Sequence, residues 1–256
     1  MTIHPTAIVD RAAELGRDVA IGPYAIVGPG VTLADGVRLA PHAVIERHAI
    51  IGRGCDIGVG AVIGGDPQDV KYRGEPTRVQ IGEGTRIREY VTVHRGSTAT
   101  GRTVIGRGCY LMSYVHVGHD CVLEDDVTLA NAVQLGGHVH LESHVTVGGS
   151  SAIHQFARVG TYAFVGGGCR VPQDVPPYAT AAGNPLRLYG INAVGLRRAG
   201  IGPEDRLALK RAFRLLFNSD LALSEAIDRL KAEDPEIPEV TRLIGFFSRS
   251  ERGVLV

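Results

Sequence analysis

An aliphatic residue returns at every sixth position over most of this chain. The run is Ile3, Val9, Leu15, Ile21, Val27, Leu33, Leu39, Ile45, Ile51, Ile57 and Ile63; after a pause it resumes in phase at Ile81, Ile87 and Val93. After a second pause it continues through Ile105, Leu111, Val117, Leu123, Leu129, Leu135, Leu141, Val147, Ile153, Val159, Val165 and Val171. A helix needs an apolar period near 3.6 and a flat strand a period of 2, so a strict six requires short strands joined by fixed corners. Two residues before each aliphatic stands a small or β-branched one, as at Ala7, Ala25, Ala61, Val115, Val133 and Ala157. Strand side chains alternate, so this pair shares one face and fills a narrow interior. Two and three residues after the aliphatic come turn pairs such as Pro29-Gly30, Asp35-Gly36, Arg53-Gly54 and Arg107-Gly108, in which glycine is free to take positive φ.

This hexad is the signature of a left-handed parallel β-helix, a triangular prism with three hexads per turn. Its hand departs from the right-handed crossover rule and is taken from the signature. The predicted architecture is mainly β, with the prism over residues 1–186, loops at 64–80 and 95–102 where the phase pauses, and a C-terminal helical domain over 187–256. Pro203 suits a first helical turn, and Leu207, Leu209, Phe213, Leu216 and Phe217 supply an apolar stripe. Further helices are predicted over about 223–233 and 236–248. Arg206, Lys210 and Arg214 lie four apart and form one basic ridge, which reads either as a solvated helix face or as a surface for an acidic partner.

Thirty-four glycines and no tryptophan fit a repeat better than an ordinary mixed domain. With 27 basic and 27 acidic residues the formal net charge is zero, so nothing global argues for nucleic acid or a membrane surface as partner. No stretch approaches the length of a membrane span and the first residues lack a leader's pattern, so the chain reads as cytoplasmic and not membrane-embedded. Cys55, Cys109, Cys121 and Cys169 all take the small inward position, in no zinc-ligand spacing, and read as buried hydrophobes without chemistry.

Chemistry-bearing residues gather in Val115-His116-Val117-Gly118-His119-Asp120, Gly136-Gly137-His138 and Ile153-His154-Gln155-Phe156. Residues eighteen apart stack on one edge of the prism, about one strand spacing (~4.8 Å) from each other. His119, Gly137 and Gln155 therefore form one column, Asp120 and His138 the next, all at corners that project away from the core. Imidazole titrates near neutrality and suits a general base, and an adjacent carboxylate can orient it. A glycine N–H one coil away can receive an oxyanion. The same histidines could instead hold zinc across a subunit boundary.

HVGHD, GGHV, AIHQF, VGGG, QDVPPY, PQDVKYRGEPTRV, REYVTVHRG, GLRRAG and FFSRSERG together resemble the UDP-N-acetylglucosamine acyltransferase family that opens lipid A synthesis, over nearly the whole chain. That resemblance implies a homotrimer with sites between neighbouring prisms, which transfers a β-hydroxyacyl chain from acyl carrier protein to the sugar 3-hydroxyl without a cofactor or metal. It implies His119 as general base, Asp120 as its orienting partner and Gly137 as oxyanion donor. It also implies His116, His138, His154 and Gln155 as lining of the sugar and acyl cleft, with Gln68, Asp69 and Lys71 as substrate contacts from the first loop. His94 and Arg95 fall in the matching HRG run, Gly167 matches the far end of the acyl cleft, and Asn192 and Arg198 match nucleotide contacts. The chain departs from the family pattern at Pro185, Val194 and Ala199. Two other activities remain open at this point: N-acylation of a 3-amino UDP-sugar, and a zinc-binding protein like the hexapeptide carbonic anhydrases.

Overall fold

The computed structural model describes residues 1–233 and 237–256. Each hexad up to Val171 contributes one short strand, most of two residues, and successive strands pass in turn to a first, a second and a third sheet of eleven, nine and eight strands. Pairing along the prism is parallel, with partners eighteen residues apart, as in Val122↔His140 and His140↔Arg158. The result is a left-handed parallel β-helix. Its interior is the expected pair of columns: Val19, Ala25, Ala61, Val115 and Ala157 are fully buried, as are Leu33, Ile57, Leu111 and Val147. All four cysteines are free and buried there. Burial pushes the Cys109 thiol up to about 11 and that of Cys121 to about 12, so neither is a ready nucleophile.

The corners hold more than glycine. Among the described residues fifteen that are not glycine take positive φ, including Tyr24, His42, Asp120, His138, His144, Phe156 and Tyr162. Each such residue costs roughly 1 kcal/mol. Stacking along the edges offsets part of this: His144 on Tyr162 and His138 on Phe156 lie with ring centroids 4.5 Å apart, Tyr24 on His42 at 5.2 Å. Aromatic pairs of this kind contribute about 0.5–1.5 kcal/mol each.

Both loops leave the second sheet and return to the third. The first is shorter than expected, because strands Val62–Gly65 and Arg78–Ile81 take up its ends and leave 66–77. The second likewise reduces to 95–101, between Thr92–His94 and Arg102–Ile105. Partners are thirty residues apart across the first loop (Ile57↔Ile87) and twenty-four across the second (Arg78↔Arg102). Both spacings are whole numbers of hexads, which is why the repeat resumes in phase. Because both loops join second to third sheet, they lie on the edge that carries Asp120, His138 and Phe156.

The expected division at residue 186 falls inside a hairpin. Ala179–Ala182 pairs parallel with Phe164–Val165, and Arg187–Ile191 then pairs antiparallel with it, so the first sheet runs to Ile191. Among the described residues four helices follow: α1 (Ala193–Arg198), which the sequence reading missed, α2 (Pro203–Phe217), α3 (Leu223–Glu233) and α4 (Pro238–Phe247). The start expected for the last helix, at 236, lies outside the described residues. Leu207, expected in the buried stripe, is exposed, and α2 instead buries Ala208, Leu209, Ala212, Phe213 and Leu216. Of the basic ridge, Lys210 and Arg214 are exposed, whereas Arg206 is half-buried and donates to the Ile201 carbonyl. No helix among the described residues is long and apolar enough to cross a membrane.

Candidate active site

His119 and Asp120 form one corner between the second and third sheets, and Asp120 takes φ 60°. Its amide donates to Thr103 Oγ1 at 2.9 Å, which fixes the unusual backbone. Asp120 was expected to face outward. It is buried instead, because the second loop folds over it. The Ser97 N–H donates to both carboxylate oxygens at 3.0 Å, and the Thr100 hydroxyl donates to Oδ1. Burial raises the carboxyl pKa, but hydrogen bonds from Thr100, His119 and Ser97 outweigh it and hold Asp120 down at about 2. Asp120 is therefore a carboxylate at neutral pH and can only accept.

His119 Nδ1 lies 2.7 Å from Asp120 Oδ2. With an ionised partner, Nδ1 carries the proton and donates, which leaves the Nε2 lone pair facing away. That edge of the ring lies over Gly137. A Cβ at Gly137 would stand 2.6 Å from His119 Cε1 and 2.7 Å from Nε2. Glycine is needed here for space and not for its backbone, since its φ is ordinary. The Gly137 carbonyl accepts from the Phe156 amide at 3.1 Å, and no group among the described residues takes its N–H.

His138 stands next in the column, its Nε2 3.6 Å from Asp120 Oδ2 and its ring perpendicular to His119 at 5.1 Å. Its pKa is lowered, chiefly by burial, against the opposing pull of Asp120; Asp69 of the first loop is close enough to act on it too. His116 pairs through Nδ1 with Thr92 Oγ1 at 2.7 Å and meets His94 edge-on at 5.1 Å. Burial first, then His94 and His119, lower the His116 pKa to about 4, so this ring is neutral at neutral pH. His94 Nδ1 contacts the Asp66 carbonyl. The fully buried Arg95 donates to the Gly64 carbonyl, the Asp66 carboxylate and, at 2.8 Å, the Tyr72 hydroxyl, tying the first loop to the start of the second. Within the first loop Asp69 Oδ1 accepts from the Lys71 amide at 2.9 Å, while the side chains of Gln68 and Lys71 are exposed. His154 is half-buried with Nδ1 3.0 Å from the Gln155 carbonyl, and Gln155 is exposed in the column of His119 and Gly137.

Three of the expected residues do not join this cluster within one chain. Asn192 caps α1 by accepting from the Gly195 N–H at 3.0 Å and donates to the Tyr162 carbonyl at 2.9 Å. Tyr162 stands on the edge between the third and first sheets. Arg198, exposed at the end of α1, belongs to the same neighbourhood. Gly167 lies on the remaining edge, above Gly149, whose carbonyl a Cβ at 167 would approach to 3.3 Å. Conversely, Ser97, Thr100 and Thr103 contact Asp120 and were not anticipated. The only available signal was that the second loop leaves the prism one coil before His119.

A hexapeptide prism with a histidine–carboxylate pair on its outer edge defines the class of hexapeptide-repeat transferases. Residues 12–47 and 102–137 match the family model described as bacterial transferase hexapeptide (six repeats), and residues 174–255 match that of UDP-N-acetylglucosamine O-acyltransferase, domain 2. The acyl-[acyl-carrier-protein]–UDP-N-acetylglucosamine O-acyltransferase of Alkalilimnicola ehrlichii is 52% identical over 99% of this chain and 98% of its own length. Among solved structures, LpxA from Acinetobacter baumannii superposes with a TM-score of 0.97 at 41% identity, and the UDP-N-acetylglucosamine acyltransferase of Bacteroides fragilis with 0.98 at 36%, each covering 100% of both chains. This chain belongs to the UDP-N-acetylglucosamine O-acyltransferase family. The ligand atoms of His119, Asp120 and His138 lie within 4.8 Å of one another and could by geometry hold a metal ion; family membership favours acyl transfer over the zinc-protein reading.

Proposed function

We propose that this chain transfers the β-hydroxyacyl group of an acyl carrier protein thioester to the 3-hydroxyl of UDP-N-acetylglucosamine, the first step of lipid A biosynthesis. The observation that carries the residue roles is the 2.7 Å His119–Asp120 pair with its free Nε2 above Gly137. His119 Nε2 takes the proton from the sugar hydroxyl as that oxygen attacks the thioester carbonyl. Asp120 stabilises the imidazolium, and the Gly137 N–H receives the oxyanion. Collapse of the tetrahedral adduct breaks the carbon–sulfur bond, and the departing thiolate takes the proton back from His119. Acyl transfer from a thioester needs no cofactor. His116, His138, His154 and Gln155 line the cleft, Gln68, Asp69, Lys71 and His94 meet the substrate from the loop side, and Asn192 and Arg198 meet the nucleotide.

Incubation with UDP-N-acetylglucosamine and hydroxyacyl carrier proteins of graded length should yield a single 3-O-ester. Product from a 3-amino-3-deoxy acceptor alone would select N-acylation, and no product from either would overturn the reading. In the same assay Gly167→Met should shift donor preference several carbons shorter without abolishing turnover. Each methylene left unburied costs about 0.8 kcal/mol, and a Cβ at this position meets only the Gly149 backbone within 4 Å. An unchanged preference in competition between long and short donors would show that Gly167 does not measure the chain.

The working assembly is a homotrimer in the cytoplasm. Its support is the division of the proposed site among three edges of one chain, His119 on one, Asn192 on the second and Gly167 on the third, which closed cyclic packing can reunite. The four free thiols fit a reducing compartment. Sedimentation at micromolar concentration should give a trimer, and a monomer under those conditions would contradict it.

A further inference from the structure

We infer that Thr100 is a positioning residue for this acyl transfer: its hydroxyl, together with the Ser97 N–H, holds one side of the Asp120 carboxylate so that Oδ2 is presented to His119. The inference rests on the reading of His119 as the base. A carboxylate attached through one bond turns readily, because its terminal torsion is broad and two-fold. Here the turn is blocked. Thr100 occupies Oδ1, Ser97 N bridges Oδ1 and Oδ2, and His119 Nδ1 takes Oδ2. The main chain of Asp120 is fixed independently by Thr103.

The second loop is built to deliver those two donors. Its ends cross so closely that a Cβ at Gly96 would stand 2.2 Å from the Arg102 amide nitrogen, and the turn closes through Gly101 N to the Ser97 carbonyl at 2.8 Å, with Gly101 at φ 73°. Ser97 Oγ accepts from the Ala99 amide at 3.2 Å, and the Ser97 N–H is given to Asp120. Thr100 Oγ1 also lies 2.9 Å from the Arg102 carbonyl. A hydroxyl has one proton, and the ionised Asp120 is the stronger acceptor. If Thr100 is removed, the nearest competitor for Asp120 is His138, whose Nε2 is already 3.6 Å from Oδ2. Asp120 then divides its hold between two imidazoles, and the His119 tautomer is no longer enforced.

Thr100→Val keeps the shape and loses the donor. In the assembled protein, kcat should fall about tenfold, the scale of losing one hydrogen bond to a charged group, with KM for donor and acceptor unchanged. The hydrogen-bonded Nδ1–H resonance of ¹⁵N-labelled His119 should be sharp in the wild type and should broaden or vanish in the variant. Thr100→Ser should restore both. Wild-type kcat and resonance in Thr100→Val overturn the inference, as does a loss in which KM, melting temperature and kcat change together and serine does not rescue. If the valine variant does not fold, Thr100→Ala takes its place: a loss of kcat and of the resonance that serine restores supports the role, and wild-type kcat and resonance overturn it. An active His119→Ala enzyme would sink the base reading itself, whereas an inert Thr100→Val effect in an enzyme that His119→Ala kills sinks only this inference.

Discussion

His119→Ala is expected to lower turnover by about 10²- to 10⁴-fold, the range for loss of a general base, with assembly and melting temperature close to wild type. The stability half of that expectation follows from position. His119 sits outside the prism, and among the described residues its ring's hydrogen bond is to a carboxylate that keeps the Ser97 and Thr100 donors. His138 cannot simply replace it, because its Nε2 is the atom turned toward Asp120, at 3.6 Å, and its ring is packed flat on Phe156. Steady-state kinetics on protein whose assembly has been checked by sedimentation measure the effect. A rate above about a tenth of wild type lies far outside the general-base range and would show that some other group takes the proton.

Gly137→Ala should cost nearly as much, by a different route. The added methyl would begin 2.6 Å from His119 Cε1, about 1 Å inside the optimal separation of ~3.5–4.0 Å. Gly137 has ordinary backbone angles, so alanine imposes no conformational strain; the ring must move instead. A displacement of that size at the proposed base can lower kcat about 10²-fold. Because both substitutions act through one ring, the double variant should be no worse than His119→Ala alone, a non-additivity expected for residues in contact. Additive losses would mean that the methyl acts on some group other than the His119 ring, and an active Gly137→Ala enzyme would show that the ring tolerates a side chain at this position.

The sequence by itself determined the prism. A period of six decides which side chain of each strand points inward, and Val115, Cys121, Val127 and Val133 are buried as that period demands. It also converts separation along the chain into separation in space, so the stacking of His119 with Gly137 and Gln155, and of Asp120 with His138, could be read from a spacing of eighteen. Only the tertiary structure decided what surrounds those columns. The two loops have no period, and their burial of Asp120 through Ser97 and Thr100 depends on where a non-repeating segment lands. Leu207 looked like core because its helix alone was considered, and the strand Arg187–Ile191 and the helices α1, α3 and α4 that this helix packs against set a different buried face. Asn192 could be named as a site residue, but its edge could not, since the hairpin Ala179–Ala182 and Arg187–Ile191 lies beyond the last regular hexad, whereas Gly167, eighteen residues after Gly149, keeps the period and its edge was legible. A repeat encodes its neighbours through local geometry, whereas a loop or a terminal hairpin is fixed by long-range contacts that leave no periodic trace in the sequence.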